Sequence, residues 1–413
     1  MMIMKDFKNL LREYARLIIE VGINQQKDKP LVIQSAVEHA DFVRILAEEA
    51  YGKGCEEVIV NWNDGELSKL RYNHSPMHVF ENIPPSTVEK FKEYDKRDAG
   101  FISITSEDPD LLKSVDAKKV SAQSKATSLA LKEHYDAMMS DEYCWCVVAA
   151  AGKDWAKKIF PELGEEEAVS KLWDEIFKST RMYEEDPVKA WREHIAFLEE
   201  KVNWLNEKHF RYLKYTNAKG TDLSIELPEA HQWMGGAGNS RKGIYFVANM
   251  PTEEVFTLPK KDSVNGTVYS SKPLVFNGNL IEDFKITFKK GRVESYSAKK
   301  GEHILGEIFA IDDNGRYLGE VALVPFHSPI SQRNLIFFNT LFDENASCHL
   351  AFGQAYPTCL KGSENMSPEE IKAAGANEAL VHEDFMVGTE DLSITGITWD
   401  GEKIPVFVKG DWA

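Results

Sequence analysis

The sequence predicts an α/β N-terminal domain with a mainly parallel sheet, followed by a strand-rich α+β C-terminal catalytic domain. Three features carry this expectation. Short apolar runs alternate with amphipathic helical stretches up to residue 151, a helical and acidic stretch spans 165–208, and alternating strand patterns follow one another beyond Phe210. In chain order, residues 5–22 place Phe7, Leu10, Leu11, Tyr14, Ala15, Ile18 and Ile19 at 3/4 spacing, so one face of that helix is built for burial. Residues 31–33 read as a buried strand, 41–51 as a helix, 52–54 as its stop and 57–62 as a second strand, which together make a βαβ unit. The strand signal returns at 99–105 and 143–151, with helices near 88–96 and 117–138 between them. Residues 165–208 form a helical connector, with Trp173, Ile176, Phe177, Trp191, Ile195, Phe197, Leu198, Val202 and Leu205 supplying apolar faces. Beyond it, strands are expected at 221–227, 243–247, 266–269, 284–288 and 292–297, separated by turns such as Asn277-Gly278. The change of texture places a domain boundary near Glu207, giving domains 1–207 and 208–413, and no internal repeat is visible.

Composition narrows the classes of function. The chain has 413 residues, 43% hydrophobic and 28% charged, which is ordinary for a folded protein and unlike a disordered or low-complexity one. With 49 Lys and Arg against 66 Asp and Glu, the net charge is −17, so nucleic acid and anionic membrane surfaces are not expected partners. The richest basic run, 285–292, reads as a strand and turn with solvated lysines. The start lacks the apolar core and small-residue cleavage site of a secretion signal, and no stretch of 18 uncharged apolar residues occurs; the expected location is the cytosol. The five cysteines, Cys55, Cys144, Cys146, Cys348 and Cys359, are read as reduced, mostly buried thiols, because the one-residue gap of Cys144-Trp145-Cys146 suits neither a redox motif nor a zinc knuckle.

No Gly-rich phosphate loop follows any of the early strands, and Tyr51-Gly52-Lys53-Gly54 precedes a strand instead of opening a helix, which argues against a nucleotide site. HExxH, GxSxG, the kinase set and CxxC are absent as well. What remains is a gathering of carboxylates and histidines in the second half, in four segments. In PTEEVFTLP (251–259) the two adjacent acids lie in an extended stretch, so at most one of Glu253 and Glu254 points into a site while its neighbour faces solvent. In LGEVALVP (318–325) a single acid, Glu320, opens an apolar run, where a carboxylate is costly unless paired or metal-bound; a solvated strand end is the plainer reading. In NTLFDENASCHLAFGQAY (339–356), His349 and Tyr356 share a side if a helix persists, whereas Gly353 favours a bend. In VHEDFMVG (381–388), His382 and Asp384 stand two apart in a strand pattern and so project from one face, as half a site for a divalent metal.

In order and spacing these segments, with Gly319-Glu320 and His382-Glu383-Asp384, resemble the thermophilic metalloaminopeptidase family of the aminopeptidase T and aminopeptidase S type. The resemblance runs through the whole second half by motif. The first half matches only in its general α/β pattern, with Gln34-Ser35-Ala36 after the first strand and Asn61-Trp62-Asn63-Asp64 after the second. It implies a pair of divalent metal ions held by Glu254, Glu320, Glu344, His349, His382 and Asp384, with Tyr356 at the same centre and Glu253 as the outward neighbour. The interval between His349 and His382 is slightly longer than the family pattern, and residues 361–378 are expected to absorb the difference as a loop.

Carboxylates can bridge two cations about 3.5–4 Å apart that share a hydroxide, which makes Glu320 the expected bridging ligand. Mixed O/N ligation suits Zn, Co, Mn or Mg alike. By the resemblance, the reaction is release of N-terminal amino acids from short peptides with a free N-terminus, through attack of a metal-bridging water. Tyr356 is then a ligand, a donor to the oxyanion or a general acid. A homodimer enclosing a cavity is also implied. Cys348 is expected to be structural, projecting about 100° from His349 on a helix. His231 and His327 are expected to be loop histidines outside the ligand set. Two other readings remain open at this point: a different dinuclear hydrolase, such as an amidohydrolase or phosphoesterase, and a non-catalytic protein stabilised by metal.

Overall fold

Parallel strand pairing organises the first part of the computed structural model, which describes residues 6–276 and 279–413; the expected turn at Asn277-Gly278 and the first five residues lie outside them. Strands β1 (Leu31–Ala36), β2 (Val58–Asn63), β3 (Gly100–Thr105) and β4 (Trp145–Ala149) form a parallel sheet in the order β4-β3-β1-β2, and the two-residue strand Asn249–Met250 extends it beyond β4. Residues such as Leu31, Val32, Ile33 and Ile102 are completely buried, as expected for a sheet covered on both faces. The helix Phe7–Leu17 runs on as a π-helical turn, Ile18–Gly22, and buries Leu10, Tyr14, Ala15, Ile18 and Ile19 of the face its spacing marked, whereas Leu11 is half-buried and Phe7 exposed.

Some elements differ from expectation, among them the stretch 165–208, which is two helices, Glu165–Ser179 and Pro187–Lys208. The stretch 117–138 is two helices, Ala117–Ala130 and Lys132–Met139. The helix Gly65–His74 has no counterpart in the periodicity because it buries none of its residues and so carries no apolar stripe; its start is fixed by Asp64, whose carboxylate accepts the Leu67 N–H at 3.0 Å.

The chain divides into two compact units: one runs up to His194 and includes Ala237–Pro251, the other comprises Ile195–Gly236 and Thr252–Ala413. The division near Glu207 expected from the change of texture coincides instead with the end of a single long helix, Pro187–Lys208, which carries the chain from one unit to the other. Ala237–Pro251 returns to the first unit because Asn249–Met250 pairs with β4, a contact too short to leave a pattern in the sequence.

The second unit is built on two antiparallel sheets. One has nine strands, among them Tyr212–Thr216, Asp222–Glu226, Asn279–Lys289, Arg292–Lys300 and Ser393–Ile397; the basic run at 285–292 is, as expected, strand and turn. The other has five strands, in the order His382–Met386, His349–Gly353, Leu318–Leu323, Val255–Thr257, Met234–Gly235. Leu213, Leu223, Ile286 and Phe407 from the first sheet share one hydrophobic core with Val321, Leu350, Phe352 and Phe385 from the second, and the helix Glu302–Ile311 adds Ile304, Leu305, Ile308 and Phe309. The four longer strands of the five-stranded sheet thus give one set of alternating residues to that core and leave the other set for a site. All five cysteines are free and buried. No described helix is long and apolar enough to cross a membrane.

Candidate metal centre

Residues directly opposite one another in adjacent antiparallel strands lie on the same face. Glu320 pairs with Ala351 and Ala351 with Asp384; Ala322 pairs with His349; Gly353 pairs with His382. One face therefore carries Glu320, His349, His382 and Asp384, with the small residues Ala322 and Ala351 between them. Phe256 pairs with Ala322, so Glu254, two residues earlier, reaches that face as well.

Glu320 owes its direction to an irregularity. Leu318 and Glu320 are two apart and in a regular strand would share a face, yet Leu318 pairs with Phe352 on the core side while Glu320 pairs with Ala351 on the other. The register shifts between them, a β-bulge at Gly319. Only glycine fits there, since a Cβ would lie 2.3 Å from the Gln354 carbonyl oxygen and 2.4 Å from that of Gly353. The bulge keeps Leu318 completely buried in the core and turns a carboxylate, only 4% exposed, toward the histidines.

The resulting cluster is tight. His349 Nε2 lies 3.2 Å from Glu254 Oε2 and 4.0 Å from both Glu320 Oε1 and Asp384 Oδ1. His382 Nε2 lies 3.1 Å from Glu320 Oε2 and 3.5 Å from Asp384 Oδ1. Two groups of ligand atoms, each within 4.8 Å of one another, emerge: Glu254, Glu320 and His349, and Glu320, His382 and Asp384. Glu320 belongs to both, with one oxygen toward each histidine. Glu344 feels the same charges, since after burial the charges of Glu254 and Asp384 raise its pKa most.

Both imidazoles are oriented by main-chain carbonyls. His349 Nδ1 lies 3.1 Å from the Ser347 oxygen and His382 Nδ1 2.7 Å from that of Gln354, so each Nδ1–H donates and each Nε2 is presented to the cluster. Asp384 Oδ1 is buried without a hydrogen-bond partner. An orphaned carboxylate oxygen, two presented imidazole nitrogens and three further carboxylates are a donor set that suits divalent cations.

Without a cation the cluster holds protons. Burial by itself would lower the His349 pKa, but the hydrogen bond and charge of Glu254, then the charges of Asp384 and Glu320, raise it to about 10. Burial likewise opposes the charged form of His382, and Asp384 and Glu320 raise its pKa well above the usual histidine range. Burial raises the pKa of Glu320 and Glu344. For Asp384 burial also acts upward, but the neighbouring His382 imidazole wins and holds it below the ordinary range. The Tyr356 phenol is pushed far up, by burial and then by Glu320, Asp384, Glu344 and Glu254, so it keeps its proton. Its ring lies 5.0 Å from that of His382 and 5.8 Å from that of Phe256.

Several expectations need correcting in detail. The segment around His349 is a strand, so helical spacing is not what brings His349 and Tyr356 to one place. The strand ends at Gly353, where φ is +95° and a Cβ would meet the Val381 carbonyl oxygen at 1.9 Å. Cys348 leaves His349 by strand alternation, and its Sγ accepts the Val324 N–H at 3.3 Å on the core side. Glu253 does not face solvent: it is 2% exposed, against 8% for Glu254, and its N–H donates to Asn345 Oδ1 at 2.8 Å. Both adjacent acids are thus covered by protein. Residues 361–378 are more than a loop, since the helix Pro368–Ala373 sits there with a capping box from Ser367 and Glu370. His231 is buried, with Nδ1 2.7 Å from the Pro228 oxygen, and His327 pairs with Asp411 at the surface; neither belongs to the cluster.

Sequence reasoning missed Asn345, which joins the Glu253 backbone to Glu344 through its Nδ2 at 3.3 Å, and Gly319, whose role depends on the approach of a neighbouring strand. The asparagine beside Glu344 in the DENAS segment was the one available signal.

The thermophilic metalloprotease family (M29) matches residues 7–412. The chain belongs to this family. Aminopeptidase AmpS of Bacillus subtilis is 49% identical over 410 residues, covering 99% of this chain and 100% of that protein. Aminopeptidase T of Thermus thermophilus is 39% identical over 409 residues, covering 99% and 100%. A solved structure of wild-type AmpT from Thermus thermophilus superposes with a TM-score of 0.92 at 38% identity, covering 99% of this chain and 100% of that one. This metalloprotease therefore shares the fold of AmpT along its length, including the first half, where the motif resemblance was weakest.

Proposed function

We propose that this metalloprotease is an aminopeptidase that releases N-terminal amino acids from short peptides at a centre of two divalent ions. Its family and the aminopeptidases it resembles support the activity. The single observation that supports a pair of ions is Glu320, whose two oxygens belong to two neighbouring ligand groups. Glu254 and His349 would complete one position and His382 and Asp384 the other, with Glu344 as a further carboxylate beside them. Divalent ions bound there would polarise the scissile carbonyl and lower the pKa of a water for attack.

The chain's own residues do the rest. The Ser347 and Gln354 carbonyls fix the imidazole tautomers, and the largely buried carboxylates would balance the charge of bound cations. Of the three roles open to Tyr356, we propose hydrogen-bond donation to the developing oxyanion, its ring lying 5.0 Å from that of His382. Tyr356→Phe is expected to lower kcat by about 10²-fold with little change in KM, as for loss of one oxyanion donor; unchanged turnover would remove that role.

The decisive experiment has two arms. Chelation followed by dialysis is expected to abolish release of an N-terminal residue, and added divalent metal to restore it. Acetylating the substrate amine is expected to lower kcat/KM by roughly 10³-fold, about 4 kcal/mol, because the free α-amine is proposed to complete the coordination. Activity that survives chelation sinks the metal reading, and equal turnover of blocked peptides favours a different hydrolase. A homodimer, implied by the family resemblance, is also proposed; light scattering is expected to give twice the chain mass of 46.8 kDa.

A further inference from the structure

A cavity of about 130 Å³ adjoins the candidate centre and shares Glu344, His382 and Asp384 with it, so an occupant would lie against the metal ligands. Sites that enclose a whole drug-sized ligand are larger, ~300–1,000 Å³. The space here is that of one side chain.

Part of its wall is apolar. Leu274 and Val275 come from the strand Leu274–Phe276, and Phe338 and Met386 add to them. Phe338 is held rigidly for a loop residue. It has a φ of +55°, and the Asp343 carboxylate accepts the N–H groups on either side, of Phe337 at 2.7 Å and Asn339 at 3.1 Å. Asp343 also lines the cavity, but its oxygens are committed to that loop.

One carboxylate at the cavity belongs neither to the proposed ligands nor to such a clamp. Glu383 pairs with Phe352 across the strands, on the face of Leu350 and Phe385 and opposite to that of His382 and Asp384. That face is the hydrophobic core of the unit, and Glu383 stands near its edge, half-buried. A carboxylate in such a place calls for a cation. Among the described residues, no lysine, arginine or histidine forms an ion pair with Glu383, whereas each of the neighbouring carboxylates Glu254, Glu320 and Asp384 has an imidazole within 4.0 Å.

We propose that this cavity receives the side chain of the substrate's N-terminal residue and that Glu383 selects lysine and arginine there, their aliphatic stems lying along Leu274, Val275, Phe338 and Met386 and their charged heads meeting the carboxylate. The proposal rests on the aminopeptidase reading and names its preferred substrate class. Glu383 is placed on the far face from the metal ligands, which suits a contact with a side chain better than one with the α-amine.

The test compares kcat/KM of the metal-loaded, full-length protein on lysine and norleucine p-nitroanilides, which differ by the ammonium group. The wild type is expected to favour lysine by about tenfold or more, and Glu383→Gln to reduce that ratio by at least about tenfold. Glu383→Lys is expected to invert it. Metal content by mass spectrometry is matched across the variants. Should Glu383 variants lose metal, Val275→Asp serves instead, and the added carboxylate is expected to raise the ratio.

An unchanged ratio in Glu383→Gln at full metal content overturns the proposal, as does an unchanged ratio in Val275→Asp where that variant is used. Equal losses on both substrates also overturn it and assign Glu383 to the α-amine. A wild type that cleaves both substrates without preferring lysine sinks the subsite proposal alone. Failure to release any N-terminal residue sinks the aminopeptidase reading and this proposal with it.

Discussion

Glu320→Gln is expected to lower kcat/KM by about 10³-fold, roughly 4 kcal/mol, while raising the melting temperature of the metal-free protein. The loss follows from geometry. Glu320 is the residue common to both ligand groups, with one oxygen 4.0 Å from His349 Nε2 and the other 3.1 Å from His382 Nε2. An amide in its place presents one oxygen and an NH₂ that repels a cation.

The gain follows from electrostatics. Without metal, Glu254, Glu320, Glu344 and Asp384 crowd one largely buried place, and burial together with neighbouring charge raises the pKa of Glu320 and Glu344. Removing one charge relieves part of that cost, and a rise of roughly 2–4 °C is expected in the metal-free state. Activity assays and calorimetry on metal-loaded and metal-free protein read both effects. Retained activity in the variant would show that another residue joins the two positions.

The second large effect is on pH. In the metal-free protein the His349 pKa is raised from 6.5 to about 10, so its contribution to stability is complete below about 6.5 and disappears as pH rises through about 10. His382 is shifted in the same direction. Glu320 and Glu344, raised above 4.5, also contribute fully below that value and lose the contribution as pH rises through their folded values. Asp384 runs the other way: it is lowered from 3.8, so its contribution is present above 3.8 and is lost as pH falls through the folded value.

Above pH 6.5 the metal-free protein is thus expected to lose stability as pH rises. Bound metal requires these same groups deprotonated, so its stabilisation grows over the same range. Calorimetry at pH 6.5 and pH 9 is expected to show the gap between metal-loaded and metal-free melting temperatures widening by roughly 5 °C. A constant gap would mean that the cluster does not titrate as a unit with metal binding.

These predictions depend on features of different legibility. The His382-Glu383-Asp384 segment could be read directly, because two residues two apart in a strand must share a face wherever the strand lies. The parallel sheet of β1 to β4 was legible for a similar reason, its apolar runs and intervening amphipathic helices being local patterns. The position of Glu320 was not. Its own segment reads equally well as a solvated strand end, and only the bulge at Gly319, created by the approach of the Gly353 and Gln354 carbonyls, turns it into the cluster.

Glu253 shows the opposite failure. It was expected to face solvent and is buried, because whether its surroundings hold water or protein depends on segments distant in the chain. The helix Gly65–His74 escaped notice because it buries nothing, and periodicity registers only burial.

The sequence by itself determined the chemistry available, four carboxylates and two imidazoles in short strand-like segments, and the α/β character of the first half, since both are encoded in residue identity and spacing. Tertiary structure decided which oxygen meets which nitrogen, that both adjacent acids are covered, and that Glu383 stands at a cavity edge with no ion pair among the described residues. Those outcomes depend on strand register and on the second sheet packed behind the first, and such long-range contacts leave no periodic trace along the chain.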